Sequence, residues 1–320
     1  MMLPPIRLYD ATGRVESVEG ATAVTLGVFD GVHRGHRALL ERLVAMSTDG
    51  PCHVSTGGMK SLVVTLTSHP SFVLGRRASE YWLDDAEEHE RLLFATGVHY
   101  VAELPFTAEV ARLTACQTAR LLHERLNMHA LLLGYDSRFG SKTDDDFDQL
   151  PQLASELGFC YDRGVPFLLE GEPISSSRIR SSLEEGRVEE TQALLGRPYS
   201  LNGEVSHGRG VGHSLGFPTA NIDLVGTRKM MPREGVYAVK VKSAQWEAGS
   251  LGMANLGPIP TFDIKRPTLE VHLLDYDGDL YGQRVTVEFI HRLRDIIRFD
   301  SADALQEQLE DDLKDCRQYE

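Results

Sequence analysis

Two histidines, His33 and His36, stand three residues apart at the end of an apolar segment, and glycines surround them in the sequence VTLGVFDGVHRGH. Imidazole N–H groups held where negative charge develops stabilise a transition state without rearranging during the reaction. Glycines beside them let the backbone approach an anion closely. The pattern therefore predicts a phosphate site. Its candidate residues are Gly27, Phe29, Asp30, Gly31, His33, Gly35 and His36.

A strand and a helix must position these histidines. Apolar and β-branched residues dominate and alternate over Ala23–Phe29, which predicts a buried strand. Leucines then recur at helical spacing and predict a helix around residues 38–46. A strand–turn–helix unit presents backbone N–H groups and the positive end of the helix dipole to a ligand above it. The alternative is that Gly31 and Gly35 are ordinary turn glycines and the histidines ordinary surface residues.

A second glycine-bearing segment, Gly134–Gly140, follows the predicted strand Ala130–Leu133. Further strands are predicted at Ser61–Leu66 and Tyr100–Leu104, and helices at Asp84–Thr96 and Thr114–Leu126. This alternation predicts an α/β fold with a doubly wound parallel sheet, whose ligands bind at the carboxyl ends of the strands. Both glycine-bearing segments fall at such ends, so the sequence predicts a single cleft. The alternative for residues 134–140 is a surface loop.

Three serines precede a predicted helix in the segment Ile174–Arg180, ISSSRIR. Consecutive hydroxyl groups there can satisfy the first N–H groups of the helix, which would make them an N-cap and nothing more. The alternative is a phosphate held at this helix N-terminus by Ser176 and Ser177, with Arg180, one turn inside the helix, reaching the same group.

The second half of the chain changes from helical spacing to short strands. Gly235–Lys242, Thr268–Leu274 and Arg284–Ile290 each alternate apolar and polar residues, and turns rich in Gly, Pro and Asp separate them. This pattern predicts a small antiparallel β-barrel. Leucines along Ser301–Leu313 predict one amphipathic helix that packs on the barrel.

A glycine-rich segment, Gly208–Asn221 (GRGVGHSLGFPTAN), lies in this half. Its candidate phosphate-binding residues are Gly208, Gly210 and Gly212. Hairpin loops have similar compositions, and no G-x-x-x-x-G-K-[ST] occurs, which excludes a P-loop kinase. The oxygen atoms of Thr219 and Asn221 suit a nucleotide-bound Mg²⁺, because this ion takes few protein ligands.

Composition excludes several function classes. The 320-residue chain has 42% hydrophobic and 25% charged residues, which is globular, and its length suggests two domains. A net charge of −14 disfavours nucleic acids and anionic membranes as partners. No segment approaches the ~18 apolar residues of a membrane-spanning helix. Four scattered cysteines without a C-x-x-C pair lead us to expect a reducing, cytoplasmic location.

The first half resembles the nucleotidyltransferase superfamily with the H-x-G-H motif, and FDGVHRGH is similar to its FAD synthetase branch. The resemblance implies that His33 and His36 contact the phosphates of ATP and stabilise charge as pyrophosphate leaves. Gly134–Gly140 is similar to the G-x-D-F-R-F-G element of this family, which implies flavin contacts. The residues concerned are Asp136, Arg138 and Phe139.

The serine segment is similar to the family's I-S-S-T-x-x-R element, which holds the triphosphate. This implies nucleotide contacts for Ser176, Ser177 and Arg180. The chain departs from the family at Leu66, where Phe is usual, and at Ser137 and Ser177, which replace Phe and Thr.

Nearly the whole segment from residue 198 to the C-terminus resembles riboflavin kinase. The matching elements are L-G-F-P-T-A-N-I at 215–222, P-x-x-G-V-Y at 232–237, A-N-L-G-x-x-P-T-F at 254–262, L-E-V-H-L-L-D at 269–275 and L-Y-G at 280–282. The resemblance implies that Thr219 and Asn221 hold Mg–ATP and that Glu270 is the base for the ribityl hydroxyl. The alternative for Glu270 is a solvent-facing strand residue. Arg294 is a candidate flavin contact, with a solvated charged edge as its alternative.

Together the halves resemble the bacterial bifunctional riboflavin kinase/FMN adenylyltransferase family. The resemblance implies an adenylyltransferase domain at 1–186, a linker helix at 187–197 and a kinase barrel at 198–320. It implies two Mg²⁺-dependent steps: riboflavin and ATP give FMN and ADP, and FMN and ATP then give FAD and pyrophosphate. The sequence does not indicate an oligomeric state.

Three alternatives stay open at this point. The departures at Leu66, Ser137 and Ser177 would be consistent with a weakened first domain, leaving a riboflavin kinase only. An H-x-G-H motif does not choose the acceptor, so a related cytidylyl- or adenylyltransferase with another substrate also fits the first half. A flavin-binding regulator without turnover is the third, although mere binding would not require Glu270, His33 and His36.

Overall fold

The structure is a computed structural model that describes residues 5–49, 58–75, 81–137, 147–207, 216–258, 267–276 and 278–320. The chain divides into two compact units, Met1–Ser175 and Ser176–Glu320. Across the described ranges, no helix combines the length and the apolar character needed to cross a membrane.

The first unit is built on a mostly parallel sheet. Its strands are β1 (Arg7–Asp10), β2 (Gly13–Val15), β3 (Thr22–Gly27), β4 (Lys60–Leu66), β5 (Tyr100–Leu104), β6 (Met128–Leu133) and β7 (Cys160–Arg163). They lie in the order β2-β1-β5-β4-β3-β6-β7. Strands β5, β4, β3, β6 and β7 run parallel, whereas β1 pairs antiparallel with β5 and β2. The chain order reverses between β3 and β6, and doubly wound sheets bind ligands beyond the strand ends at such a point.

Helices cover both faces of this sheet. They are α1 (Arg34–Asp49), α2 (Pro70–Val73), α3 (Ala86–Phe94), α4 (Ala115–Leu126) and α5 (Leu150–Leu157). Along β3, Val24 and Leu26 pack in a core with α4 and α5, whereas Ala23 packs in a second core with Leu40 and Leu43 of α1. Burial on both faces explains the apolar character of these strands. The predicted doubly wound α/β fold is confirmed.

Most predicted elements of this half are present, with shifted ends. Strand β5 spans Tyr100–Leu104, as predicted. Strand β3 ends two residues before the predicted limit of Ala23–Phe29, because Phe29 adopts a left-handed conformation with φ of 51°. Helix α1 begins at Arg34 and is therefore longer than the predicted 38–46. A short hairpin, β8 (Leu168–Leu169) with β9 (Glu172–Pro173), was not predicted.

The second unit contains a closed antiparallel barrel, which confirms the predicted architecture. Its strands are β10 (Tyr199–Ser206), β11 (Ala220–Asp223), β12 (Gly235–Ser243), β13 (Trp246–Pro258), β14 (Pro267–Leu273) and β15 (Arg284–Arg294). The ring order is β10-β11-β14-β13-β12-β15. Alternate residues of β12, Tyr237, Val239 and Val241, are fully buried, as expected for side chains that fill a small barrel.

Two helices precede the barrel in the same unit, α6 (Ser176–Glu184) and α7 (Val188–Leu195). The hydroxyl groups of Ser182 and Thr191 lie 2.7 Å apart and join these helices. Helix α7 also contacts β10 and β15. Leu183 on α6 accepts the N–H of Arg233 at 2.8 Å, so both helices are fixed to the barrel.

The helix α8 (Ala302–Cys316) packs on the outer wall of the barrel, as its leucine pattern predicts. The Ser301 hydroxyl caps it by accepting the N–H of Ala304 at 3.2 Å. Leu309 and Leu313 contact a cluster on the barrel wall that includes Phe217 and Met253. Because α8 lies on the outer wall of the barrel, a ligand site can form between the barrel wall and this helix.

The cysteines differ in state. Cys116 and Cys316 carry free thiols, whereas Cys160 is disulfide-bonded. Cys316 is buried at the end of α8, and burial raises the pKa of its thiol to about 11.

Candidate active sites

The loop that joins β3 to α1 has an unusual backbone. Phe29, Gly31 and Val32 all have positive φ, at 51°, 83° and 33°. This conformation is easy for glycine, whereas for phenylalanine and a β-branched valine it costs on the order of 1–3 kcal/mol each. Such residues persist only where the surroundings hold them, and they concentrate at functional sites. The sequence identified the loop but not its strain.

Hydrogen bonds from a distant segment hold this loop. Asp30 accepts the N–H of Leu83 at 2.8 Å, and Asp84 accepts the N–H of Gly31 at 3.1 Å. Both carboxylates are almost fully buried. These buried carboxylates stabilise one conformation of the loop. If the loop opened, each buried carboxylate would lose its hydrogen-bond donor, which costs free energy.

His33 and His36 lie against each other at the start of α1, beyond the end of β3. Their ring centroids are 3.5 Å apart and their planes differ by 17°. The Nδ1 atom of His33 accepts the backbone N–H of His36 at 3.2 Å, in the manner of an N-cap. In a neutral ring, Nε2 of His33 must then carry the proton. Gly35 permits this packing, because a Cβ there would lie 3.2 Å from the His33 ring.

The environment of His36 favours its neutral form. Its Nδ1 atom is shielded from solvent and has no hydrogen-bond partner within the described part of the chain. Burial, together with the neighbouring charges of His33 and His89, lowers the pKa of His36 well below its usual range. The edge of the Phe29 ring contacts the same imidazole, with centroids 5.2 Å apart. An anion bound beside this ring would favour the protonated form.

The segment after β6 begins at the same edge of the sheet. The N–H of Ser137 bonds to the Gly134 carbonyl at 3.2 Å in a turn, and Asp136 is exposed. A Cβ on Gly134 would lie 2.8 Å from the Ser137 hydroxyl, which would have to rotate away. The predicted residues Arg138 and Phe139 lie outside the described residues. Gly27, at the end of the neighbouring β3, leaves room for the Phe29 ring, 3.0 Å from its Cβ position.

The predicted serine segment opens α6 in the second unit. Ser176 and Ser177 occupy the first turn of this helix. Arg180 is buried, and its guanidinium donates to the Ser176 carbonyl at 3.3 Å. Arg178 on the same helix pairs instead with Glu190 of α7 at 3.3 Å.

The barrel brings three polar residues into one row across neighbouring strands. Glu270 on β14 pairs directly with Asn221 on β11 and with Asn255 on β13. Side chains of directly opposed residues lie on the same face, with Cβ atoms about 5 Å apart. Glu270 is half-buried, so it is not an ordinary solvent-facing strand residue.

A cavity of about 280 Å³ lies over this row, between the barrel wall and α8. Its polar lining includes Thr219, Asn255, Glu270 and Arg294. Its apolar lining comes mainly from the segment after β15 and from α8. These residues are Ile296, Ile297, Phe299, Leu305 and Leu309. The cavity can therefore take a ligand with a flat apolar part and a polar end. The predicted glycines Gly208, Gly210 and Gly212 lie outside the described residues.

Arg294 is engaged by a carboxylate of α8. Its guanidinium forms a bidentate pair with Asp312, with contacts of 2.8 Å and 2.6 Å. Asp312 is 2% exposed, and Gln308 donates to it at 2.9 Å. The pair links β15 to α8 at the edge of the cavity, which gives Arg294 a structural function that the sequence did not predict.

We expect Asp312→Asn to destabilise the barrel unit by about 2 kcal/mol, because Arg294 loses a charged, bidentate partner. Urea unfolding, followed by the fluorescence of Trp246 in a Trp82→Phe background, measures the change. Asp311→Asn is the matched control, since its pair with Lys314 on the same helix is exposed. Equal midpoints for the Asp312 and Asp311 variants would contradict this account.

Sequence reasoning missed three residues of these sites: Asn255, Asp84 and His89. Asn255 lies within the A-N-L-G element, but only the strand register shows that it neighbours Glu270. Asp84 is 53 residues from Gly31, whose N–H it accepts, and His89 reaches the loop only through Asp84 and Thr65, so no local pattern connects them.

Comparison with known proteins assigns a family to each half. The family model described as FAD synthetase matches residues 15–178. The family model described as riboflavin kinase matches residues 195–320. The strained loop lies in the first match, and the row around Glu270 lies in the second.

Relatives of both halves together are also known. The bifunctional riboflavin kinase/FMN adenylyltransferase of Escherichia coli is 36% identical over 297 residues, covering 92% of each chain. The protein of the same name from Haemophilus influenzae is 33% identical over 306 residues, covering 93% of this chain and 94% of its own. A crystal structure titled as a macrolide-efflux protein from Streptococcus pneumoniae aligns with a TM-score of 0.82 and 30% identity, covering 94% of this chain and 96% of the other.

These matches favour two activities over the riboflavin kinase alone, since both family models and full-length relatives are present. They also favour the two activities over a regulator without turnover and over a transferase with another acceptor. The chain belongs to the bifunctional riboflavin kinase/FMN adenylyltransferase family, whose members phosphorylate riboflavin to FMN and adenylylate FMN to FAD.

Proposed function

We propose that each reaction has its own site and consumes its own ATP molecule. The observation that carries this proposal is that the stacked pair His33 and His36 and the row around Glu270 belong to different compact units. Each set has its own chemistry, since the first offers N–H donors and the second offers a carboxylate beside amide and hydroxyl oxygens.

In the first unit, a phosphate oxygen of FMN attacks the α-phosphorus of ATP, and pyrophosphate leaves with the electrons of the broken P–O bond. His33 donates from Nε2, and His36 donates from its imidazole to the same phosphates. The N–H groups at the start of α1 and the helix dipole add to this stabilisation. No covalent intermediate is required, because positioning and charge neutralisation supply the acceleration.

In the barrel, Glu270 accepts the proton of the riboflavin 5′-hydroxyl as that oxygen attacks the γ-phosphorus of ATP, and ADP leaves. The half-buried position of Glu270 in the cavity wall supports this function, because the base must lie within hydrogen-bond distance of the hydroxyl. The apolar wall formed with α8 fits the flavin ring, and Arg294 lies at its edge.

Thr219 and Asn221 are proposed to hold Mg²⁺ together with ATP. The donor set fits this ion, because hydroxyl and amide oxygens stand beside a carboxylate. The described residues contain no cluster of three or more His, Cys, Asp or Glu side chains that would form an all-protein cage. When bound, Mg²⁺ neutralises charge on the ATP phosphates.

The remaining assignments rest on the family motifs. We propose that Ser176, Ser177 and Arg180 contact the triphosphate used by the adenylyltransferase, that Asp136, Arg138 and Phe139 contact its flavin, and that the barrel's ATP lies against Gly208, Gly210 and Gly212. We propose domain limits of 1–186 and 198–320 with a linker at 187–197. The interval between the two family matches, residues 179–194, overlaps this linker, whereas the compact units divide after Ser175. A cytoplasmic location is proposed because both steps consume ATP.

Incubation of the intact protein with riboflavin, ATP and Mg²⁺, with FMN and FAD separated by chromatography over time, tests the proposal. We expect FMN to appear first and FAD to follow. Calorimetry with saturating flavin and Mg²⁺ should find two nucleotides per chain. A reaction that stops at FMN under excess ATP, or uptake of a single nucleotide, would contradict the two-site proposal.

A further inference from the structure

A chain of hydrogen bonds closes a ring beneath the strained loop of the first unit. Asp84 accepts the N–H of Gly31 at 3.1 Å and contacts Nδ1 of His89 at 3.0 Å. On the other side of the imidazole, Nε2 of His89 lies 3.1 Å from the Thr65 hydroxyl, which bonds to the Val28 carbonyl at 3.2 Å. The ring therefore starts and ends on the same loop, at residues 28 and 31.

All hydrogen bonds of the ring are satisfied together when His89 is charged. The Thr65 hydroxyl has one proton, and when it donates that proton to the Val28 carbonyl, it accepts from Nε2–H of His89. The Asp84 carboxylate can only accept, so Nδ1 must also carry a proton. A histidine that donates from both ring nitrogens is an imidazolium cation.

We propose that Asp84, His89 and Thr65 are positioning residues for FMN adenylylation, which hold the loop at residues 28–31 in the shape that receives the ATP phosphates. This inference rests on the proposed function of His33 and His36. The ring fixes the Val28 carbonyl and the N–H of Gly31, so it holds the backbone on both sides of Phe29 and Asp30. His33 follows Gly31 by two residues, and its placement depends on this segment.

The charges around His89 agree with its cationic form. Burial alone would lower the pKa of His89, but the carboxylates of Asp84, Asp30 and Glu103 outweigh burial and raise it above the usual range. The positive charge of His89 in turn contributes to the lowered pKa of His36 on α1. The ring thus places a fixed cation beneath the loop and favours a neutral His36 before ATP binds.

His89→Gln and Thr65→Val test the inference in the full-length protein. Glutamine places an amide near Nε2 and keeps the contact to Thr65, but it loses the charged contact to Asp84. Valine has the shape of threonine and removes the hydroxyl that joins His89 to the loop. The matched control is His129→Gln, since His129 lies in the same unit at the opposite end of β6, where it contacts the nearby Asn127 carbonyl and the ring of His123.

We expect kcat/KM for ATP in FAD formation from FMN to fall by about 10- to 100-fold in both variants, the scale expected when catalytic groups move by about 1 Å. The riboflavin kinase rate of the same preparations should be unchanged, and His129→Gln should match wild type in both reactions. Variants that keep kcat/KM within about twofold of wild type would refute the inference. Loss of both activities together would also refute it, because that result indicates general unfolding.

A pH profile separates positioning by a charged ring from a purely structural effect. The cationic form of His89 is lost as the pH rises through its raised pKa. Wild-type kcat/KM should therefore decline on the alkaline side, and His89→Gln should lack this decline. If kcat/KM declines equally at high pH in wild type and in His89→Gln, the inference is wrong. If His36→Ala alters FAD formation but His89→Gln does not, only this inference fails.

Discussion

Replacing His36 with alanine abolishes FAD formation while FMN formation continues at the wild-type rate: this is the first large effect we expect. The imidazole lies at the start of α1, stacked on His33, where we propose that the charge of departing pyrophosphate develops. Loss of one fixed donor at such a position typically costs about 10²–10³-fold in rate. The barrel reaction uses none of these groups.

Chromatography of the flavin products, started from riboflavin and separately from FMN, measures both steps in the His36 variant. His129→Ala is the matched control, because it removes an imidazole from the same unit away from the strained loop. Loss of FMN formation in the His36 variant would argue against separate sites, as would normal FAD formation from FMN.

The second large effect is expected at Glu270. Glu270→Gln keeps the shape of the side chain but removes its ability to accept a proton, so FMN formation should fall by about 10²–10⁴-fold. FAD formation should be unchanged when FMN is supplied. Glu270→Ala should give the same pattern, with additional loss from the vacated space in the cavity wall.

Glu288→Gln is the control for this variant. Glu288 is also a barrel carboxylate, but it pairs with Lys242 at 2.7 Å and does not line the cavity. The two variants should therefore differ in kinase rate by at least about 100-fold. If Glu270→Gln retains most of the kinase rate, Glu270 is not the base and its half-buried position requires another explanation.

Local pattern was sufficient to predict the four strands β3 to β6 and the helices α1, α3 and α4 of the first unit. Tyr100–Leu104 is mainly apolar, follows His99 and ends before Pro105, so its ends follow from the sequence, and the strand before His33 was correct except at its end. The conformation of Phe29 was not predictable, because its positive φ depends on bonds from residues 83 and 84. Contacts between residues this far apart in the sequence produce no repeating pattern that sequence analysis could detect.

In the barrel, the sequence pattern did not reveal strand β13, because glycines interrupt it. Gly249, Gly252 and Gly257 interrupt the alternation of β13, so its length was not predicted, although the structure extends it over Trp246–Pro258. The neighbourhood of Asn255 and Glu270 follows from register alone. The resemblance to riboflavin kinase identified Glu270, and the strand register showed that Asn221 and Asn255 are its neighbours.

Closure of the barrel restricts where this half of the chain can gain or lose residues during evolution. Each strand is hydrogen-bonded on both sides, so none can slide without breaking two ladders at once. A one-residue insertion early in β14 would turn Glu270 inward and present Leu269 or Val271 to the cavity. We therefore expect length variation among related chains to be confined to the connections between strands, where added residues leave the carboxylate where it is.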